Sequence, residues 1–220
     1  GFNRLKMTVG NQALARRDEP RLLVDVILED AKRVEAVRMA AGPEVELFID
    51  ANCSLDLYHA RQLCQIIEPF HIELFEEPIT QNDIRHMADL RSQTTIRLAC
   101  GQNEGQAYRF RDMMIAGAVD IIQPNVAITG GFTQCQKIAA LANSFNISVD
   151  NGGAWPFFNQ HLQAGLSNGG LVEYHYSSVE VCKQLYTGLP EPKQGWLTMT
   201  DAPGLGFELN TAALSHFEID

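Results

Sequence analysis

Five polar residues, Asp50, Glu76, Gln102, Asn125 and Asn151, each close a short β-rich run, and the intervals between them are 26, 26, 23 and 26 residues. A repeat of that length, one strand plus one amphipathic helix, restricts the chain to a solenoid, a doubly wound open sheet or a closed parallel barrel. No leucine-rich consensus recurs and no Gly-rich phosphate fingerprint is present, so the barrel is favoured. In a (β/α)8 barrel the strand C-termini converge on one face, and the five side chains are expected round a single pocket.

The runs between these markers predict the elements. Strands are expected near 4–9 and at 47–50, 73–76, 96–100, 121–125, 147–151 and 171–175, seven in all. Helices are expected near 24–41, 55–68, 82–91, 106–116, 131–144 and 157–167, and a Pro/Gly-rich tail follows. In the first helix Val26, Ile27, Ala31, Val34 and Val37 recur at helical spacing, which marks one apolar face.

Composition removes several function classes. With 45% hydrophobic and 20% charged residues over 220 positions, the chain can bury a full core. Its 17 Lys and Arg form no run or stripe, against 27 Asp and Glu for a formal charge of −10, which argues against nucleic acid or an anionic membrane surface as partner. The five cysteines are scattered without a C-x-x-C pair, so neither a disulfide framework nor a zinc site is expected and a reduced, cytoplasmic setting fits. No apolar run approaches a bilayer-spanning length. The chain opens at Gly1 without an initiator Met and enters a strand almost at once, so the start of the natural protein is expected to be missing.

Asp50, Glu76 and Gln102 end consecutive strands and can offer three oxygens to one point. Hard divalent cations take such ligands, and Mg²⁺ in particular is held by one or two carboxylates with positions left for water or substrate oxygens. The competing reading for any one of them is a carboxylate or amide that caps the next helix; three at matched spacing favour a shared metal site.

Several motifs carry a resemblance. Gly1-Phe2 with Lys6, Thr8 and Gly10, Ile49-Asp-Ala-Asn52, Phe75-Glu-Glu-Pro78, Cys100-Gly-Gln-Asn103, Gln123-Pro-Asn125 with Gly130-Gly131, and Pro203-Gly-Leu-Gly-Phe-Glu-Leu209 run in order over nearly the whole chain. Together they resemble the enolase superfamily, closest to its mandelate racemase and muconate-lactonizing enzyme group. The resemblance implies a modified TIM barrel over 1–220, with a tail from about 190 returning toward an N-terminal capping domain. That domain and the first barrel strand are expected to be absent from this chain. It also implies Mg²⁺ as cofactor, with Asp50, Glu76 and Gln102 as its ligands, and removal of an α-proton from a carboxylate substrate to give a metal-stabilised enediolate. Family members are often multimeric, which makes a homo-oligomer the expectation by analogy.

The departures are specific. Where the family often has Lys-x-Lys, this chain has Lys6 and Thr8; where racemase-type members carry a His–Asp dyad it has Asn125 and Asn151, which do not titrate near neutral pH. The third ligand is normally Glu and here is Gln102, one negative charge fewer. Lys6 is then the leading acid/base candidate, or an electrostatic contact to the substrate carboxylate. Glu173 matches a Glu that donates a hydrogen bond to the enediolate in some members, with a surface role as the alternative.

Asn52, Asn103, Asn125 and Asn151 are the substrate-binding candidates, and such a polar wall suits a polyhydroxylated acid. The expected function is a Mg²⁺-dependent lyase dehydrating a sugar acid. Racemisation, cycloisomerisation, or carboxylate binding without turnover are the alternatives. Of the remaining features, His161 and His175 could lie near the mouth, although His161 falls inside a predicted helix. Gly130-Gly131 opens a helix whose free N–H groups could hold an anion or simply pack. Trp155, Phe157 and Phe158 read as aromatics packed beneath a loop, with closing the pocket as the alternative, and Arg16-Arg-Asp-Glu19 as a solvated loop, with a contact to the missing domain as the alternative.

Overall fold

The structure, a computed structural model, describes residues 1–10 and 22–214; the Arg16–Glu19 loop lies outside the described residues. The chain divides into two compact units. The first comprises Phe2–Gly101 and Tyr108–Ile122, the second Gly1, Gln102–Ala107 and Gln123–Asp220.

In the first unit, strands β1 (Arg4–Thr8), β2 (Glu46–Asp50), β3 (Ile72–Glu76), β4 (Arg97–Cys100) and β5 (Ile121–Ile122) pair in parallel, each beside its sequence neighbour. Helices α1 (Leu23–Ala41), α2 (Leu57–Ile67), α3 (Ile84–Arg91) and α4 (Ala107–Ile115) connect them. Parallel strands covered by crossover helices are buried on both faces, and Leu47, Ile49, Phe75 and Leu98 are wholly inaccessible while Phe48 and Leu74 are nearly so. The helices meet them with Ile27, Val34, Ala60, Leu63, Ile67, Met87, Leu90, Phe110 and Met113, all buried. In α1 the inner face is Val26, Ile27, Ala31 and Val34, the stripe the sequence predicts, although Val37 is not among the buried residues.

The strand ends continue to bond beyond the sheet: Ala51 N donates to Glu76 O at 3.0 Å and Glu77 N to Ala99 O at 2.9 Å. Those bonds hold the segments after β2 and β3 in the sheet's register. The end of β1 is fastened separately, at Gly10. Buried Asp30 of α1 accepts from Gly10 N at 2.6 Å and from Arg33 at 2.7 Å, which keeps a buried carboxylate fully engaged.

The second unit holds α5 (Gly131–Ser144), β6 (Ser148–Val149), α6 (Pro156–Ala164), α7 (Tyr176–Leu185), a small antiparallel pair β7 (Tyr186–Thr187) and β8 (Glu208–Leu209), and α8 (Thr211–Leu214). Phe157, Val179 and Cys182 form one buried cluster, covered by Trp155, Tyr174, Tyr186 and Phe207. Phe158 stands edge-on to Tyr186 and Phe207, so the aromatics after Trp155 pack the tail.

Two expectations are corrected. Residues 171–175 form no strand, because the acceptors for their N–H groups are side chains: Leu171 N donates to Asp150 Oδ1 at 2.8 Å and Glu173 N to Asn151 Oδ1 at 3.1 Å. The Val149–Gly169 bridge and the Asn151 N to Leu171 O bond join residues 169–171 to β6 and the segment after it through the backbone. Between residues 171–175 and the Pro/Gly-rich tail, where no element is expected from the sequence, lies a ten-residue helix, α7, which His175 caps. Among the described residues no helix is long and apolar enough to cross a membrane.

Candidate metal and active site

Asp50 and Glu76 are register partners at the C-terminal ends of β2 and β3. Side chains on a strand alternate between faces, so the matched register sends both carboxylates to the same side. Lys6 lies two residues earlier on β1, level with Phe48, and its long stem reaches along the sheet to them. Its Nζ is 2.6 Å from Glu76 Oε2 and 3.5 Å from Asp50 Oδ2. Glu76 is 1% exposed and Asp50 7% at the side chain, against 21% for Lys6.

Asp50 is also held from its own strand end. Asn52 takes a positive φ of 45°, and from that turn its backbone N donates to Asp50 Oδ1 at 2.8 Å and its Nδ2 to Oδ2 at 3.0 Å. Asn52 is itself exposed. Next to it, Cys53 is no nucleophile: burial, and then the Glu77 carboxylate, push its thiol up to about 12, leaving it protonated at neutral pH. Behind it the wholly buried Glu77 accepts from Asn82 Nδ2 at 2.8 Å.

Two nearly buried carboxylates that already share one ammonium are the donor set a hard divalent cation takes. Among the described residues no group of three or more His, Cys, Asp and Glu is placed to hold a metal ion. A site built on Asp50 and Glu76 therefore needs a neutral oxygen or solvent to complete it, and the donors present fit Mg²⁺ rather than zinc.

In the second unit three asparagines brace one loop. Asn125, wholly buried, donates from Nδ2 to the carbonyls of Gly152, Gly153 and Ala154 at 2.8, 3.0 and 3.1 Å. Its Oδ1 accepts from Ala127 N at 2.9 Å and from Asn159 Nδ2 at 3.0 Å. Asn151 donates to Gly152 O and Ala154 O and accepts from Glu173 N. Asn159, which sequence reasoning missed, sits in α6 with no exposure and ties Asn125, Val126 N and Trp155 O together. Its only sequence signal was an amide inside the otherwise apolar start of that helix.

The loop so held turns Ala154 N toward Glu173, whose Oε2 accepts from it at 2.8 Å. Gln102 is 8% exposed and lies against Gly153, where an added Cβ would stand 2.8 Å from its Oε1. Asn103 is exposed. His161 bonds to Leu205 O at 3.0 Å and His175 to Ser178 N, both structural roles. Gly130 caps α5 in a left-handed conformation, and Gly131 N is spent on Val126 O.

The structure thus brings together Lys6, Asn52, Asp50 and Glu76 in one unit, and Asn125, Asn151 and Glu173 in the other.

The profile of the family described as enolase C-terminal domain-like matches residues 1–213. The chain belongs to the enolase superfamily. Its similarity is to the mandelate racemase and muconate-lactonizing branch. D-galactarolactone cycloisomerase of Agrobacterium fabrum is 30% identical over 203 residues, covering 87% of this chain and 54% of the relative. Arabinonate dehydratase of Saccharolobus solfataricus is 25% identical over 222 residues, covering 99% and 56%. The crystal structure of L-talarate dehydratase from Polaromonas sp., complexed with Mg and L-glucarate, superposes with a TM-score of 0.84 at 28% identity, covering 98% of this chain and 55% of that one. The chain spans about half the length of these enolase-superfamily relatives.

Proposed function

We propose that the intact protein is a Mg²⁺-dependent lyase that dehydrates a sugar acid, with Asp50, Glu76 and Gln102 as metal ligands. The observation that carries the reading is the Asp50–Glu76 pair, two nearly buried carboxylates in register with their oxygens turned to one cation. The names of the relatives, an arabinonate dehydratase and an L-talarate dehydratase, support a sugar acid as substrate. Gln102 takes the third ligand role by its place in the Cys100–Asn103 motif.

When bound, Mg²⁺ would supply positive charge opposite the substrate carboxylate and so lower the cost of losing the α-proton. The remaining chemistry falls to this chain. Lys6 Nζ is the assigned base, since Thr8, Asn125 and Asn151 occupy the places of the family's other bases and none of them titrates near neutrality. The α C–H bond breaks toward Nζ, its electron pair forms the C=C bond, and the β C–O bond breaks with hydroxide leaving. Glu173, fixed by Ala154 N, is assigned to hydrogen-bond the developing enediolate oxygens, and the proton taken by Lys6 Nζ passes to the leaving hydroxide to make water. The enol product then tautomerises to a 2-keto-3-deoxy acid. Asn52 and Asn103, the two exposed asparagines of the set, are assigned to the substrate hydroxyls.

A second reading, carboxylate binding without turnover, is favoured by one fact: the Asn125 and Asn151 amides are engaged with protein backbone. One experiment separates the two. The intact protein is screened with Mg²⁺ against a panel of acid sugars in D₂O, following α-proton exchange and loss of water. Dehydration of a panel member, abolished in Lys6→Met, supports the lyase. Ligand-induced stabilisation with no exchange for any member overturns it in favour of binding alone.

A further inference from the structure

We infer that Lys6 is an internal counter-ion that competes with the divalent cation for Asp50 and Glu76, so that metal binding and release of the Lys6 ammonium are one event. The inference rests on the metal assignment above and adds how the chain's own cation bears on that site.

Buried carboxylates on adjacent strands repel and are costly unless a cation answers them. Asp50 and Glu76 are register partners, nearly inaccessible, and the Lys6 ammonium touches both, at 3.5 and 2.6 Å. It therefore answers the same two negative charges that Mg²⁺ would answer at that place. The two cations cannot share the same oxygens cheaply, because like charges a few ångströms apart repel strongly in a partly buried site. Lys6 is the partner able to yield: it is the most exposed of the three and carries its charge on a flexible four-carbon stem. Asp50 stays in place when the ammonium leaves, since Asn52 supplies it with a backbone and a side-chain donor.

Two consequences follow. The affinity for Mg²⁺ is lower than two carboxylates would give alone, because each ion bound must displace an ion pair. The Lys6 side chain is held on Glu76 until metal arrives, so its Nζ is free to turn toward a substrate only at a loaded site.

The test is calorimetric titration of Mg²⁺ into the intact, chelator-treated protein, with thermal melting in parallel, for the wild type, Lys6→Gln, Lys6→Arg and Asp50→Asn. Lys6→Gln should bind Mg²⁺ on the order of tenfold more tightly than wild type, and melt several degrees lower without metal. Lys6→Arg, which keeps the cation, should show neither the tighter binding nor the lowered melting. If Lys6→Gln does not fold in chelator, recovery of its melting transition at millimolar Mg²⁺ supports the inference and failure to recover overturns it. Wild-type binding with no tightening in Lys6→Gln also overturns it while leaving the metal assignment intact. Absence of Mg²⁺ binding in every variant, Asp50→Asn no different from the rest, removes the metal assignment and the inference with it.

Discussion

Gly153 has a φ of 71°, and a methyl group on its α-carbon would meet Gln102 Oε1 at 2.8 Å and Gln102 Cβ at 3.1 Å. Both facts forbid a side chain, the first through backbone strain and the second through overlap with a buried amide. Gly153→Ala is expected to cost about 1–3 kcal/mol of stability and to shift Gln102, read as a lowered denaturant midpoint together with weakened Mg²⁺ binding. Unchanged stability would show that the loop has room to relax. Legibility in the sequence differs sharply between neighbouring residues. Asp50 and Glu76 could be found by counting, because parallel strands in register place equivalent positions side by side. Most of the work of Asn125 could not: apart from Ala127 N, its side-chain partners are backbone carbonyls 27–29 residues away and the amide of Asn159, 34 residues away. No local pattern encodes such bonds. That Asn52 would turn back on Asp50 was concealed in the same way, since it depends on a left-handed φ at a non-glycine residue.

Element boundaries follow how strongly each end is signalled. Helix α5 starts and stops where the sequence predicts, at Gly131 and Ser144, because a Gly pair opens it and Asn143-Ser144 closes it. Helix α7 went unseen, since its Val179–Cys182 face is short and its N-cap is His175, outside the usual capping set. The strand expected at 171–175 has the right composition but loses its ladder to Asp150 and Asn151 side chains. Helix α3 shows the opposite, a strongly encoded start. Asp83 accepts from Arg85 N at 3.1 Å and His86 N at 3.0 Å, and the His86 N–H bond, foremost, lowers its carboxyl below the usual 3.8. Because the folded value is the depressed one, this stabilisation is fully present above about pH 4 and is lost as pH falls through the folded value. Asp83→Ala should cost about 1 kcal/mol at pH 7 and progressively less in acid. A denaturation series from pH 7 to pH 2 checks it, and a constant difference across that range would rule out the charged cap.

At the scale of the molecule, the period of about 26 residues made the β/α architecture readable before any contact was known, since each repeat must fold as one strand and one helix to bury its apolar face. Charge adds a constraint of its own. The chain has 27 acidic against 17 basic residues, and in such a field a cation bound to buried carboxylates should stabilise the folded state by mass action. The intact protein is expected to melt at a higher temperature with millimolar Mg²⁺ than with chelator. Asp50→Asn should abolish that rise, because it removes one of two carboxylates on which a hard cation depends. Gln102→Glu should enlarge it, restoring the negative charge that the family's third ligand normally carries. The melting shifts must rank Gln102→Glu above wild type and wild type above Asp50→Asn for the ligand assignment to stand. A rise in Asp50→Asn equal to that of wild type would move the metal elsewhere, and a Gln102→Glu variant no better than wild type would mean that position 102 does not reach the ion.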